Sequence, residues 1–256
     1  MILGFKYVHK YNIPNFVKKE KNRKYILKYY FLIAKKQPPK PKTKWNGIKD
    51  GSKEGSPCLQ LNPFNEPEVI GSEDCLWLNV YTTNATPNLK PVLVWIYGGG
   101  FSAGTASKQA YSPEYMMDHD IVMVSIQYRV GPYGFLSTGD ETAPGNYGLL
   151  DQNLALKWIH QNIAKFGGDP NQVTVSGHSA GSASAHMHML SPMSKGLVHK
   201  IISLSGTGVN YWANRNTEHG RYARRMGNLF DCPTEESDLI SFICNEYGIV
   251  LISATL

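Results

Sequence analysis

Apolar positions between residues 76 and 205 gather into five short runs rich in β-branched and aromatic side chains. They are "LWLNVY" (76–81), "VLVWIY" (92–97), "IVMVSIQ" (121–127), "QVTVS" (172–176) and "IISLS" (201–205). Each is bounded by Gly, Pro, Asn or Asp, as strands are. Between them the period lengthens. Leu150, Leu154, Ile159 and Ile163 share one face of a helix expected over 149–166, and 180–190 reads as a second helix. A third is expected over 217–230 and a fourth over 234–242, where Thr234 caps a first turn holding Glu235 and Glu236. The later strands, apolar almost throughout, are expected to be buried on both faces. This alternation predicts an α/β fold: a mostly parallel central sheet with flanking helices, entered by an antiparallel pair within 76–97. Residues 1–53 show neither period, and "QPPKPKTK" reads as extended and polyproline-like, so a poorly structured head is expected there.

Length and composition bound the picture. The 256 residues, 42% hydrophobic, suffice for one large core or at most two ordinary domains. The net charge of +6 hides an asymmetry: residues 1–56 carry 15 Lys and Arg against 3 Asp and Glu, and the remainder 11 against 17. A basic head can signal nucleic acid, but this one has no Arg cluster or amphipathic period and the body is acidic, so no nucleic-acid partner is expected. No apolar run approaches the roughly 18 residues of a membrane span. The nearest, Tyr25 to Ala34, is interrupted by Lys28 and lacks a cleavage pattern after it, so no signal peptide is recognisable.

The four cysteines form no CxxC pair and have no His at ligand spacing, so no metal is expected. They permit three pairings; 58 with 75 and 232 with 244 would close short loops, and four unrelated thiols fit the spacing equally well. Asn84-Ala-Thr86 is a glycosylation sequon, which fits a secreted context.

The chemistry concentrates in "VTVSGHSAGSASAHMHML" (173–190), where Ser179 stands in a GxSxG frame. A lone GxSxG says little. Here a strand precedes it and a helix-compatible run follows, the arrangement of a nucleophile elbow, with Gly177 and Gly181 small enough to let the turn press the serine outward past His178. At a helix N-terminus the peptide dipoles favour developing negative charge. Acyl transfer also needs N–H donors aimed at the oxygen that becomes negative, and "GGGF" (98–101) directly follows a predicted strand. The N–H groups of Gly99, Gly100 and Ala180 are the candidate oxyanion donors.

These residues resemble the type-B carboxylesterase family of cholinesterases and carboxylesterases. "EDCLWLNVY" (73–81), "PVLVWIYGGGF" (91–101), "YRVGPYGFL" (128–136), "GNYGLLDQNLALKWIHQNIAKFGGDPNQVTVSGHSAG" (145–181) and "HMLSPMSKGLVHKII" (188–202) match the family's motifs in order, over about residues 37–244. The resemblance implies an α/β-hydrolase fold, hydrolysis of small-molecule carboxylic esters through a serine acyl-enzyme, no cofactor, and a secreted or endoplasmic-reticulum setting. Position by position it implies Ser179 as nucleophile, Gly99, Gly100 and Ala180 as oxyanion donors, and the disulfides Cys58–Cys75 and Cys232–Cys244. Trp212 resembles a position beside the acyl pocket, though a lone aromatic fits a core equally well. His178 stands where many members have Glu, which bears on rate and specificity. No aromatic in "NPFNEPEVIGS" (62–72) stands where choline-specific members keep a tryptophan, which favours a general carboxylesterase.

The base is the open question. In this fold the triad runs Ser, acid, His, so the base must follow Ser179. His186 and His188, seven and nine residues on, sit roughly 10 to 13 Å down the same helix. His178 diverges from its neighbour at the turn, His199 lies at the far end of the sheet, and His219 belongs to the next helix. The family's acid and histidine follow later strands, and "NEYGIVLISATL" (245–256) leaves the family pattern. The expectation is therefore an N-terminal part of the hydrolase domain over 54–244, incomplete on its C-terminal side, with a divergent tail, an exposed sheet edge and little or no turnover alone. The rival readings are a cholinesterase-like adhesion module that has lost catalysis, against which the intact GHSAG and GGGF argue, and a non-functional truncated product.

Overall fold

A computed structural model describes residues 2–5, 26–28, 38–41, 47, 51, 53–62, 68–83, 88–141, 143–214 and 218–228. The head, where no strand was expected, contributes β1 (Ile2–Phe5) and β2 (Ile26–Lys28), paired in parallel. Both are short pieces below the length at which a period-2 pattern can be read. A second small pair, β3 (Gln60–Leu61) and β4 (Val69–Ile70), is antiparallel.

The main sheet holds β5 (Leu78–Tyr81), β6 (Lys90–Ile96), β7 (Val122–Ile126), β8 (Gly168–His178) and β9 (Lys200–Leu204) in the order β5-β7-β6-β8-β9. Every pairing is parallel except β5 with β7. The expected antiparallel entry pair is thus corrected: β5 and β6 do not pair, because β7 lies between them. Strand content is a local property, but which strand becomes the neighbour depends on where the connections lead the chain.

Register aligns Val94 with Val124 and Val175, placing alternate residues of three strands on one face. That face meets α2 (Tyr147–Asn162), which buries Leu156, Trp158 and Ile159 against Val92, Val94, Ile96, Val124, Val173 and Val175. On the other face Trp95 and Met123 pack with Tyr81 and Met117. β7, interior to the sheet and covered on both sides, is buried at every residue. β9 does not follow the same expectation: Ile202 and Leu204 are 46% and 44% exposed. β9 is an edge strand, and nothing among the described residues covers these two side chains.

The helices α1 (Gly131–Phe135), α3 (Ala180–Leu190) and α4 (His219–Asn228) complete the elements. α3 has the bounds expected from sequence, and its first six residues, Ala180 to Ala185, are small and buried. Small side chains let its first turn and a half lie close on β8 and the end of β6. α4 tucks Ala223 inward and lays Gly220 beside the Thr138 carbonyl. The fourth expected helix, 234–242, lies outside the described residues. No described helix is long and apolar enough to cross a membrane.

Candidate active site

Ser179 joins β8 to α3 with φ +53° and ψ −119°. A non-glycine residue held there is strained, by roughly 1 to 3 kcal/mol, and persists only when its surroundings over-determine it. Those surroundings are visible. A Cβ added to Gly177 would lie 2.3 Å from the Gly181 carbonyl carbon, and one added to Gly181 would lie 2.1 Å from the Ile96 oxygen. The strand end and helix start therefore touch through hydrogen alone, and the helix is pressed onto the end of β6. Two hydrogen bonds complete the turn: the Ser179 N–H donates to the Leu204 carbonyl (2.8 Å), and the Ala183 N–H donates to the Ser179 carbonyl (3.0 Å). Ser179 is partly exposed, and its hydroxyl makes no hydrogen bond to a described residue.

The glycine run after β6 lies against this turn. A Cβ on Gly98 would meet the His178 carbonyl oxygen at 2.5 Å and the Ser179 Cβ at 3.1 Å. From there the chain closes a tight loop. Gly99, with φ +123°, accepts at its carbonyl from the N–H groups of Ser102 (2.9 Å) and Ala103 (3.1 Å). Gly100 follows at φ +60°. Both glycines are exposed, and their N–H groups donate to no described residue. The third candidate donor, Ala180, opens α3, where N–H groups have no intrahelical partner.

Two supports for this loop lie within the quoted motifs, but nothing in those motifs pairs them. Tyr97, just before it, stacks on Tyr128, just after β7, with centroids 4.4 Å apart. Each hydroxyl donates to the other's carbonyl, Tyr97 at 2.7 Å and Tyr128 at 2.8 Å. Burial drives both phenols well above their usual pKa. Three residues on, the Gly131 N–H donates to the Phe101 carbonyl (2.6 Å). Arg129 fixes that stretch to α2: its Nε and a terminal nitrogen donate to the two Asp151 oxygens at 2.8 and 2.6 Å, and its backbone N–H adds a third bond. Burial pushes the Asp151 carboxyl up, and Arg129 opposes that shift. No local period could have announced either pair, since the partners lie on different elements.

The histidines near Ser179 in sequence are placed elsewhere in space. His186 accepts the Gly208 N–H at its Nδ1 (3.1 Å), pinning the loop after β9. His199 accepts the Val173 N–H at its Nδ1 (3.2 Å), just before the start of β9 and so at the end of the sheet away from Ser179. His178 is exposed beside Ser179, and His119, His160 and His219 are exposed on other elements.

His188 is buried within a chain of hydrogen bonds. Asn153 Nδ2 donates to Ser194 Oγ (2.9 Å), and Ser194 Oγ pairs with His188 Nδ1 (2.9 Å). His188 Nε2 meets Gln152 Oε1 (3.0 Å), Gln152 Nε2 donates to Ser184 Oγ (3.2 Å), and Ser184 Oγ donates to the Ala180 carbonyl (2.9 Å). An amide oxygen only accepts, so the His188 proton sits on Nε2. Burial pushes this imidazole down to a pKa of about 4.

Trp212 is half-buried, with its ring 2.9 Å from where a Gly206 Cβ would lie, as is the Ser179 carbonyl oxygen. Ser182 Oγ donates to the Gly206 carbonyl on the same loop. Of the expected disulfides, Cys58–Cys75 is formed. Cys232, Cys244 and Asn84 lie outside the described residues.

With this geometry in place, comparison with known proteins gives a consistent answer. The model of the carboxylesterase family matches residues 35–255, so part of the basic head and nearly all of the tail fall inside the matched range. The chain is 50% identical over 179 residues to juvenile hormone esterase of Tribolium castaneum, covering 69% of this chain and 30% of that protein. It is 46% identical over 207 residues to venom carboxylesterase-6 of Apis mellifera (78% and 36% covered). Against acetylcholinesterase of Gallus gallus it is 43% identical over 211 residues (77% and 28%). The chain belongs to the carboxylesterase family, and its sheet and helices are those of an α/β-hydrolase fold. It spans 28–36% of the length of these three relatives.

Proposed function

We propose that the chain carries the acyl-accepting part of a serine carboxylic ester hydrolase, with Ser179 as nucleophile. The observation that carries this reading is the conformation of Ser179, φ +53° and ψ −119°, held between β8 and α3 by contacts that leave no room for side chains at 177 and 181. Strain of this kind at a partly exposed serine marks a site where a side chain is presented rather than packed. Ser179 Oγ attacks the ester carbonyl carbon, the carbonyl oxygen becomes an oxyanion, and the N–H groups of Gly99, Gly100 and Ala180 stabilise it. Collapse expels the alcohol and leaves an ester on Ser179, which water then hydrolyses. Losing one such donor typically costs about 100- to 1000-fold in rate.

A base must take the Ser179 proton and return it to the leaving alcohol. His186, His188 and His199 are engaged elsewhere, and neither they nor the adjacent His178 bonds the Ser179 hydroxyl, so in this reading the histidine and its acid come from outside residues 1–256, and the chain alone turns over little or no ester. Small-molecule esters are the substrate class, and the hydrolase part occupies 54–244. The disulfide Cys58–Cys75 supports a secreted or lumenal setting, in which Cys232–Cys244 pairs and Asn84 is glycosylated. The relative named venom carboxylesterase-6 points the same way.

The test is covalent labelling of the purified chain by a fluorophosphonate, with peptide mapping. Slow labelling at Ser179, as for a serine whose base is supplied from outside the chain, that Ser179→Ala abolishes is the expected result. Labelling at another residue, or labelling unchanged in Ser179→Ala, overturns the assignment. Turnover of a p-nitrophenyl ester at an ordinary enzymatic rate would overturn the placement of the base outside the chain.

A further inference from the structure

The loop that presents Gly99 and Gly100 has two ends, and they meet. A Cβ on Gly104, whose φ is +135°, would lie 2.6 Å from the Gly98 carbonyl oxygen and 2.3 Å from the Tyr97 ring. Gly98 is fixed from one side by β6, Ser179 and the Tyr97–Tyr128 pair. Gly104 is fixed from the other side by a single side chain, Gln60. Its Oε1 accepts the Gly104 N–H at 2.6 Å, and its Nε2 donates to the Gly104 carbonyl at 2.9 Å. The second Nε2 proton goes to the Cys58 carbonyl at 2.9 Å. A backbone N–H must face the amide oxygen, so the orientation of this amide is dictated. Gln60 is 8% exposed, and its own backbone is held by the β3–β4 pair and, two residues earlier, by the disulfide at Cys58.

Gly104 is also the first rung of a ladder. The Ala106 N–H donates to Gln127 Oε1 (2.7 Å), and the Ala106 carbonyl accepts from Ser125 Oγ (2.9 Å) and Asn79 Nδ2 (3.2 Å). The Lys108 N–H donates to Glu54 Oε1 (2.7 Å). Alternate residues 104, 106 and 108 are thus tied as a strand would be, but by side chains from other elements in place of a partner backbone. Only the first rung touches the glycine loop.

We propose that Gln60 is a positioning residue for the oxyanion loop, holding Gly104 so that the N–H groups of Gly99 and Gly100 are pre-aimed. The proposal rests on the reading of Ser179 and these donors given above. Without the amide, Gly104 keeps its steric contact with Gly98 but loses both polar anchors, and the loop between them is free to rotate its peptide planes.

The experiment compares the full chain with Gln60→Met, which keeps the side chain's length without its bonds, and Gln60→Glu, which keeps the acceptor for the Gly104 N–H. Two readouts are taken: amide hydrogen exchange of the peptide spanning 98–104, with β6 and β8 peptides as internal reference, and the rate of Ser179 labelling by a fluorophosphonate at saturation. Gln60→Met is expected to raise exchange in 98–104 at least tenfold with the reference peptides unchanged, and to slow labelling at least tenfold with its half-saturating concentration unchanged. Gln60→Glu is expected between the two. Exchange in 98–104 at the wild-type rate in both variants would overturn the proposal, as would a rise spread equally over β6 and β8. If the wild-type chain is not labelled even with imidazole added as an external base, the nucleophile reading fails, and the exchange measurement still decides whether Gln60 holds the loop.

Discussion

Protonating His188 should unfasten α3 from α2. The imidazole is buried, its Nε2–H is committed to Gln152 Oε1, and its Nδ1 accepts from Ser194, whose oxygen already accepts from Asn153. A second ring proton would point at a hydroxyl aimed back at it, in a place where burial disfavours charge. Burial lowers the folded-state pKa to about 4 from the ordinary 6.5. Between those two values the unfolded chain binds a proton that the folded chain refuses, so stability rises with pH across this window. The contribution is fully present above pH 6.5 and is lost as pH falls towards 4. A gap of this size amounts to about 2 kcal/mol lost by pH 5 and about 3 kcal/mol by pH 4. The assay is urea unfolding followed by tryptophan fluorescence at pH 7.5, 6 and 5, for the wild-type chain and for His188→Gln, which cannot titrate. The variant should be less stable at pH 7.5 and should lose about 2 kcal/mol less than wild type on going to pH 5. Parallel losses in the two proteins would refute the reasoning, because the sensitivity would then reside in other groups.

Three further outcomes follow from the contacts described above. Gly181→Ala should abolish fluorophosphonate labelling and lower soluble yield, since its Cβ would sit 2.1 Å from the Ile96 oxygen; Gly196→Ala, with open space around it, should cost only the strain of its left-handed backbone, about 1 kcal/mol in urea unfolding. Tyr97→Phe and Tyr128→Phe should each cost about 1 to 3 kcal/mol by leaving a buried carbonyl unpaired, and the double variant should depart from the sum of the two by a measurable coupling. Asp151→Ala should cost about 3 to 5 kcal/mol, because it leaves the Arg129 guanidinium buried without its counter-charge; denaturant midpoints would show it.

What the sequence revealed and what it withheld divide along a physical line. The bounds of α3 and the tight turn at Ser179 were legible because they depend on neighbours within a few residues: a strand pattern, two glycines and a run of small side chains. The pairing of β5 with β7 was not, since nothing in "LWLNVY" specifies which parallel strand it will border. The run 201–205 alone hid the exposure of Ile202 and Leu204, because an apolar run looks the same in the middle of a sheet and at its edge; the exposed edge was expected only from the family resemblance. The rungs at Gly104, Ala106 and Lys108 come from Gln60, Gln127, Asn79, Ser125 and Glu54, polar residues whose spacing in sequence carries no period. Only the assembled fold brings them to one segment.

The backbone angle at Ser179 also acts as a filter on what chemistry the position can host. At φ +53° a second heavy atom on Cβ crowds the neighbouring peptide groups, so threonine, although it carries the same hydroxyl, is strongly disfavoured there. Cysteine keeps the unbranched Cβ and fits. Under the proposed role of Ser179, the turn therefore leaves oxygen or sulfur open as the attacking atom but disfavours any branched nucleophile, before substrate arrives.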